Sequence, residues 1–295
     1  RSNVIIRNVT VDGLTGHGIL INQGCRDIII EDYKSFNIGK RAIDFDGTTA
    51  NPILNVTIAR AEIINSCTNN TSGDMAIRLN CCDNAVLNQC YVSACGNSSV
   101  DFSGVFLNTC IASNLSDIFI RQNTGLSVNC FNIIDSVDGM YTNCVAQNNS
   151  PVTGGAFYGM NIQTTTGISN YNICSSCIVE DNNSTVNLVG YLVQANASEN
   201  MLENCIFSGN VGDTVTGIQT TTGTENFIRD CVIGGNMAES VCIGIECIGQ
   251  QEIHIERNHV KGNQGDIVYG IKLTNNDNNL GFINNNELLS NVGTT

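Results

Sequence analysis

Short apolar runs of three to five residues alternate with Gly, Asn, Ser, Thr and Asp along the whole chain. That is the signature of short strands closed by tight turns. Windows rich in Leu, Ala, Glu and Lys are few, so no long helix is expected. The runs fall into register when aligned on their last apolar-to-turn step: IIRNVTV (5–11), IIEDYKS (29–35), TIARAEI (57–63), VLNQCYV (86–92), MYTNCVA (140–146), ICSSCIV (173–179), MLENCIF (201–207), FIRDCVI (227–233), HIERNHV (254–260) and FINNNEL (282–288). The fifth residue of each makes a column: Val9, Tyr33, Ala61, Cys90, Cys144, Cys177, Cys205, Cys231, Asn258 and Asn286. Its members lie roughly 28 residues apart, except for a double interval between Cys90 and Cys144. FLNTCIA (106–112) is expected to supply the missing coil, making about eleven.

Five residues after this column stands a second one, Asn149, Asn182, Asn210, Asn236, Asn263 and Asn291, with Asn37 and Asn65 one place sooner in the early coils. Asn tolerates the left-handed conformation at a bend and can hydrogen-bond to its own kind in the next coil. A third set of strands opens on glycine. Alternation sends Ile19, Ile43, Ile77, Val105, Leu126, Met160, Tyr191, Ile218, Ile245 and Ile271 inward, together with Ile21, Phe45, Leu79, Leu107, Val128, Ile162, Val193, Cys247 and Leu273. Between them come mostly polar residues: Asp44, Arg78, Ser127, Asn161, Gln219, Glu246 and Lys272. One face is expected dry and the other wet, with Leu20, Phe106 and Leu192 as apolar exceptions on the wet side.

A period of this length with two or three strands in it means stacked coils. The LxxLxLxxN signature of leucine-rich repeats is missing, and propeller blades need about 40 residues. The pattern resembles the right-handed parallel β-helix, the superfold of pectate lyases and polygalacturonases, over essentially the whole chain. The fold class implied is all-β, a single-stranded solenoid. At roughly 4.8 Å per coil it would be a rod on the order of 50 Å long.

Composition narrows the function. The net charge of −14 repels phosphate backbones and anionic headgroups, which disfavours nucleic-acid and membrane partners. No apolar run reaches the roughly 20 residues of a membrane helix. The chain opens on Arg1 without a signal peptide, and residues 1–295 read as one domain, expected to be a processed product or part of a longer chain. Fifteen cysteines invite a disulfide framework, but the column assigns Cys90, Cys144, Cys177, Cys205 and Cys231 to the interior as small hydrophobes. Cys174-Ser-Ser-Cys177 has neither the second CxxC nor the His pair of a zinc site. Asn-x-Ser/Thr sequons such as Asn97 and Asn196 are as frequent as this much Asn would produce by chance.

Three groups could carry chemistry. Gly16-His17-Gly18 resembles the Gly-His-Gly motif of polygalacturonases, a family that also requires paired aspartates on earlier coils and an Arg-x-Lys on a later one. Here only Asp12 precedes the motif and no Arg-x-Lys follows. Asp44 and Asp46 project outward together, and Arg78 is expected one coil above Asp44. Two carboxylates beside a guanidinium can hold a sugar or Ca2+, or form a cross-coil ion pair on a solvated face. Glu246 and Lys272 repeat that arrangement. His254, Glu252 and Glu256 are expected to share a face, with His259 nearby. No cofactor is called for.

Without a complete catalytic set, and with no helical cap at either end, the expected function is a non-catalytic structural, surface or assembly protein, an adhesin or filament subunit pairing with copies of itself end-to-end or side-by-side. The alternative is a polysaccharide lyase, glycoside hydrolase or glycan-binding module working on the outer face, with His17, Asp44, Asp46 and Arg78 as its catalytic candidates. The resemblance implies an extracellular, cell-surface or virion-surface location. Many free thiols would suit a reducing compartment instead.

Overall fold

A computed structural model describes residues 2–69, 74–194, 196–275 and 281–293. Among these residues the chain winds into a parallel β-helix whose three sheets hold 11, 11 and 12 strands. A coil gives one strand to each sheet in turn, as in Phe227–Arg229 (first sheet), Val232–Gly234 (second) and Met237–Ile248 (third). All three pair in parallel with the coils on either side.

The corners follow from the short polar residues. First and second sheets meet at one left-handed residue, such as Asn143 (φ 52°), Asn204 (φ 53°) or Asp230 (φ 56°). Asn and Asp bear that conformation better than other side chains with a Cβ. The next corner uses Asn148, Asp181, Gly209 and Gly235 in the same way.

Just past it the asparagine ladder turns inward. Asn210 is fully buried. Its Nδ2 donates to the carbonyls of Val179 (3.1 Å) and Ser208 (2.9 Å) and to Asn236 Oδ1 (3.1 Å), while its Oδ1 accepts from the backbone N–H of Asn182 (3.0 Å). Each rung thereby saturates backbone groups that the corner takes out of the sheets. Asn37 and Asn65 belong elsewhere: they occupy the exposed left-handed position and bond to each other outside, with Ile38 and Ser66 taking the interior places.

The cysteine column is interior. Cys90, Cys144, Cys177, Cys205 and Cys231 are buried, and Ile118 fills the gap between the first two. The fifteen cysteines form no disulfide, and only Cys25 is partly exposed. Burial pushes Cys90 and Cys247 up to about 11, so neither offers a thiolate near neutral pH. Cys144, Cys177, Cys205 and Cys231 line a 20 Å³ void beside Met160 and Tyr191. Its lining is apolar, so such a space stays dry.

Two sequence expectations fail in one region. The missing first-sheet strand is Asn114–Ser116, not 106–112; Phe102–Asn108 pairs within the third sheet. Asn108-Thr109-Cys110 imitates the Asn-Gln-Cys of 88–90, whereas the true strand carries Ile118 where a cysteine was sought. Likewise Phe131, Asn132 and Ile133 align with Val105, Phe106 and Leu107, displacing Leu126, Ser127 and Val128. Gly125 suggested a glycine-led strand there, but it lies in the turn, and Cys130 stands opposite Gly104.

Candidate functional site

Down the outer face of the third sheet runs one lane of side chains. Its register is continuous from Leu20 through Asp44, Arg78, Phe106, Asn132, Asn161, Leu192, Gln219 and Glu246 to Lys272. The expected pairings of Asp44 with Arg78 and of Glu246 with Lys272 are both present. The lane is not uniformly wet, however, and its two ends differ.

At the N-terminal end Asp44 is 1 % exposed, not solvated. Arg78 Nε donates to its Oδ1 (2.6 Å) and Arg41 Nη1 to its Oδ2 (3.0 Å). His17 Nδ1 lies 3.1 Å from the same Oδ2 without making a hydrogen bond. Arg78 also reaches Asp46 Oδ1 (2.7 Å), which accepts from Asn80 Nδ2 (3.3 Å). Burial holds the His17 pKa below its ordinary value. The Asp44 carboxylate opposes that shift, and Arg41, Lys40 and Arg78 reinforce it.

The structure therefore assembles all four sequence candidates, His17, Asp44, Asp46 and Arg78, and adds Arg41. The signal for Arg41 was Lys40-Arg41, the one adjacent basic pair in the chain, three residues before Asp44. Chemically Asp44 is closed. Each of its oxygens is engaged by a guanidinium N–H group and the residue is 1 % exposed, so neither oxygen is presented to a substrate. Ca2+ would have to displace Arg78 or Arg41 to reach Asp44, whereas Asp46 is 48% exposed and only its Oδ1 is paired.

Toward the C-terminal end the lane opens into a trough of ≈ 450 Å³. The strand alternation breaks at a glycine column. At Gly190 a Cβ would overlap the ring of Phe207, and at Gly217 the side chain of Ile233. Lacking that atom, the third sheet settles onto second-sheet side chains and its strands bend at the glycine, where the alternation is interrupted. The outward residues on either side of each glycine line the hollow together: Val189 and Leu192, Thr216 and Gln219, Ile243 and Glu246. Val189, Leu192 and Ile243 are buried yet stand apart from the continuous core, as outward residues in a recess should. Asn187, Thr214 and Val241 form one rim; Gln194 and Thr221 form the other.

Glu246 is the carboxylate of this trough and is 6 % exposed. Lys272 Nζ lies 2.7 Å from its Oε1, and Gln219 Nε2 donates to its Oε2 at 2.7 Å. One coil N-terminal to Leu192, Asn161 is 5 % exposed; its Nδ2 reaches Asn129 Oδ1 and Asn132 Oδ1, each at 3.4 Å. Sequence reading singled out Leu192 but missed Val189, Thr216 and Ile243, because the bend breaks the alternation that would have exposed them.

The histidine group does not form. His254 stacks between Phe227 and Phe282 on the first sheet, with centroids 4.5 and 5.4 Å away. Glu252 sits in the left-handed turn before that strand, Glu256 pairs with Arg257 at 3.2 Å, and His259 meets Glu287 on the second sheet at 2.6 Å. Among the described residues no three His, Cys, Asp or Glu side chains are grouped to hold a metal ion.

No family model and no curated protein matches this chain. Among solved structures it is similar to the catalytic domain of a GH87 alpha-1,3-glucanase in complex with tetrasaccharides, at 14% identity and a TM-score of 0.41, over 99% of this chain and 60% of that one. It is also similar to the periplasmic alginate epimerase AlgG, at 10% identity and a TM-score of 0.25, over 98% of this chain and 76% of the other. The chain thus spans about three fifths of the glucanase domain. The likeness is one of fold alone.

Proposed function

We propose that the third-sheet trough binds a polysaccharide chain lying across successive coils, and that the protein is a glycan-binding β-helix. The observation that carries this reading is the lining. Aliphatic surface at Val189, Leu192 and Ile243 and the ring of Tyr158 alternate with the hydroxyls and amides of Thr216, Gln219, Gln194 and Asn187. A sugar ring has an apolar face and a rim of hydroxyls, and a recess with both kinds of surface at coil spacing suits a chain of them. Binding without turnover is the form favoured here. Cleavage by paired carboxylates needs a free acid and a free base or nucleophile about 5–10 Å apart, whereas Asp44 and Glu246 are each ion-paired at opposite ends of the lane. Such a role goes with a location outside the cell or at a surface.

The test is affinity electrophoresis and calorimetry against a panel of polysaccharides, with parallel assays for reducing ends and unsaturated uronates. Leu192→Arg, which fills the recess, should abolish retention with the far-ultraviolet spectrum unchanged, and no product should appear. Failure of every polysaccharide to bind would remove the reading.

The assembly reading keeps one supporting feature. The outward column of the first sheet is apolar over four successive coils, Met140, Ile173, Met201 and Phe227, with Asn114 separating these from Val86. Sedimentation velocity of the wild type and Met140→Lys would register side-by-side pairing along that stripe.

A further inference from the structure

We infer that the ligand of the trough is an uncharged, hydroxyl-bearing polysaccharide, and that the amide cluster of Asn129, Asn132 and Asn161 is a subsite for it; this rests on the glycan-binding reading above. The lane continues from Leu192 to Asn161 and then to Asn132 in unbroken register. Asn161 is only 5 % exposed, and its Oδ1 has no hydrogen-bond partner among the described residues. A buried acceptor without a donor is an uncommon feature that calls for a cause. What it lacks is an N–H or O–H; the oxygen is itself buried, and a sugar hydroxyl in the lane supplies the donor once the amide turns outward. Asn132 Oδ1 already accepts from Asn161 Nδ2 and Gln163 Nε2, each at 3.4 Å, so the opening is specific to Asn161.

Charge sets the class. The trough holds one carboxylate and one ammonium, joined at 2.7 Å, and so has no net charge of its own. Around it the field is strongly negative: residues 79–295 carry nineteen acidic and five basic side chains, against eight of each in residues 1–78. A polyuronate or sulfated chain would meet repulsion with no free cation in the trough to offset it. A polyamine would be drawn to the whole surface rather than to the recess. A neutral chain is indifferent to the field and uses only amides, hydroxyls and apolar faces.

The experiment uses the full chain with three sets of soluble probes: neutral glucans, mannans and xylans; alginate and polygalacturonate; and chitosan. Each is titrated at 20 mM and 500 mM NaCl, with wild type, Asn161→Leu and Asn129→Ser. The expected result is binding to at least one neutral chain that changes less than about twofold with salt, since no counterions are released. Asn161→Leu should bind it at least tenfold more weakly with an unchanged melting curve. Tighter binding of a polyanion or chitosan, or a steep salt dependence, overturns the inference while leaving the glycan-binding reading in place. Neutral binding that is indifferent to Asn161→Leu also overturns it. If no probe binds, both readings fall together. Should Asn161→Leu not fold, Asn129→Ser decides the same point, because Asn129 is partly exposed and its Oδ1 helps hold the Asn161 amide (3.4 Å).

Discussion

Asp44 and Glu246 occupy the same lane of the same sheet, both are buried carboxylates, and each is met by a cation one coil further on. Yet one is the centre of a closed cage and the other the side of an open trough. The difference lies in what else arrives. At Asp44 the turn carrying His17 and the residue Arg41 come in beside Arg78 and complete the enclosure. At Glu246 the second partner is a neutral amide, Gln219, and the glycine-led bend hollows the sheet in front of it. Position in the repeat therefore makes a residue face outward, but neighbouring turns decide whether outward means reachable.

The two ends should respond differently to substitution. The largest effect is expected at the cage. Asp44→Leu leaves Arg41 and Arg78, each 16% exposed, without their shared carboxylate. Stranding buried charge in this way costs about 3–5 kcal/mol, to be read from urea denaturation with the m-value unchanged. A loss below about 1 kcal/mol would mean that the cage is solvated after all.

Next comes the backbone of the trough. Gly190→Ala sets a methyl against Phe207 and should cost about 1–3 kcal/mol by overpacking. Gly16→Ala, where an added Cβ meets nothing within 4 Å, should stay within about 0.5 kcal/mol. Equal effects would contradict the account of how the trough is formed.

Glu246→Gln is expected to cost only about 1 kcal/mol, because Lys272 is 36% exposed and can turn to water. A cost equal to that of Asp44→Leu would erase the contrast between the ends.

The smallest effect is a pH dependence confined to the cage. Burial lowers the His17 pKa, so the unfolded chain binds that proton more readily than the folded one. The associated stability is complete above the unfolded value of about 6.5 and is lost progressively as pH falls below it toward the lowered folded value. Melting temperatures at pH 7.5 and 5.5 should differ more for wild type than for His17→Gln, with the wild type losing more on acidification.

Much of this was legible in the order of residues. The asparagine ladder from Asn149 to Asn291, the buried thiols and the pairing of Asp44 with Arg78 all follow from period and alternation, because in a regular coil the same offset always reaches the same neighbour. Legibility failed where the spacing was imitated or broken. Cys110 counterfeited the column that Ile118 occupies, and Gly125 counterfeited the start of a strand that in fact runs Val128–Ile134. Arg41 joined Asp44 from a neighbouring turn, and Glu252 left the His254 face because its turn is left-handed. Turn geometry is set by contacts with the coils on either side, and these are not encoded in the offset.

By itself, then, the sequence determined that the chain stacks as coils, which side of most strands is dry, and that Asp44 meets Arg78 and Glu246 meets Lys272. These depend on short-range periodicity and on a constant distance between coils, which any reader of the repeat can apply. Tertiary structure alone decided that the lane is sealed at Asp44 and hollow from Val189 to Glu246. Sealing needs side chains from different turns to converge, and hollowing needs the third sheet to press onto Phe207 and Ile233 where glycine leaves room. Both are matters of three-dimensional close packing, in which a single absent methyl group changes the shape of the surface on the other side of the sheet.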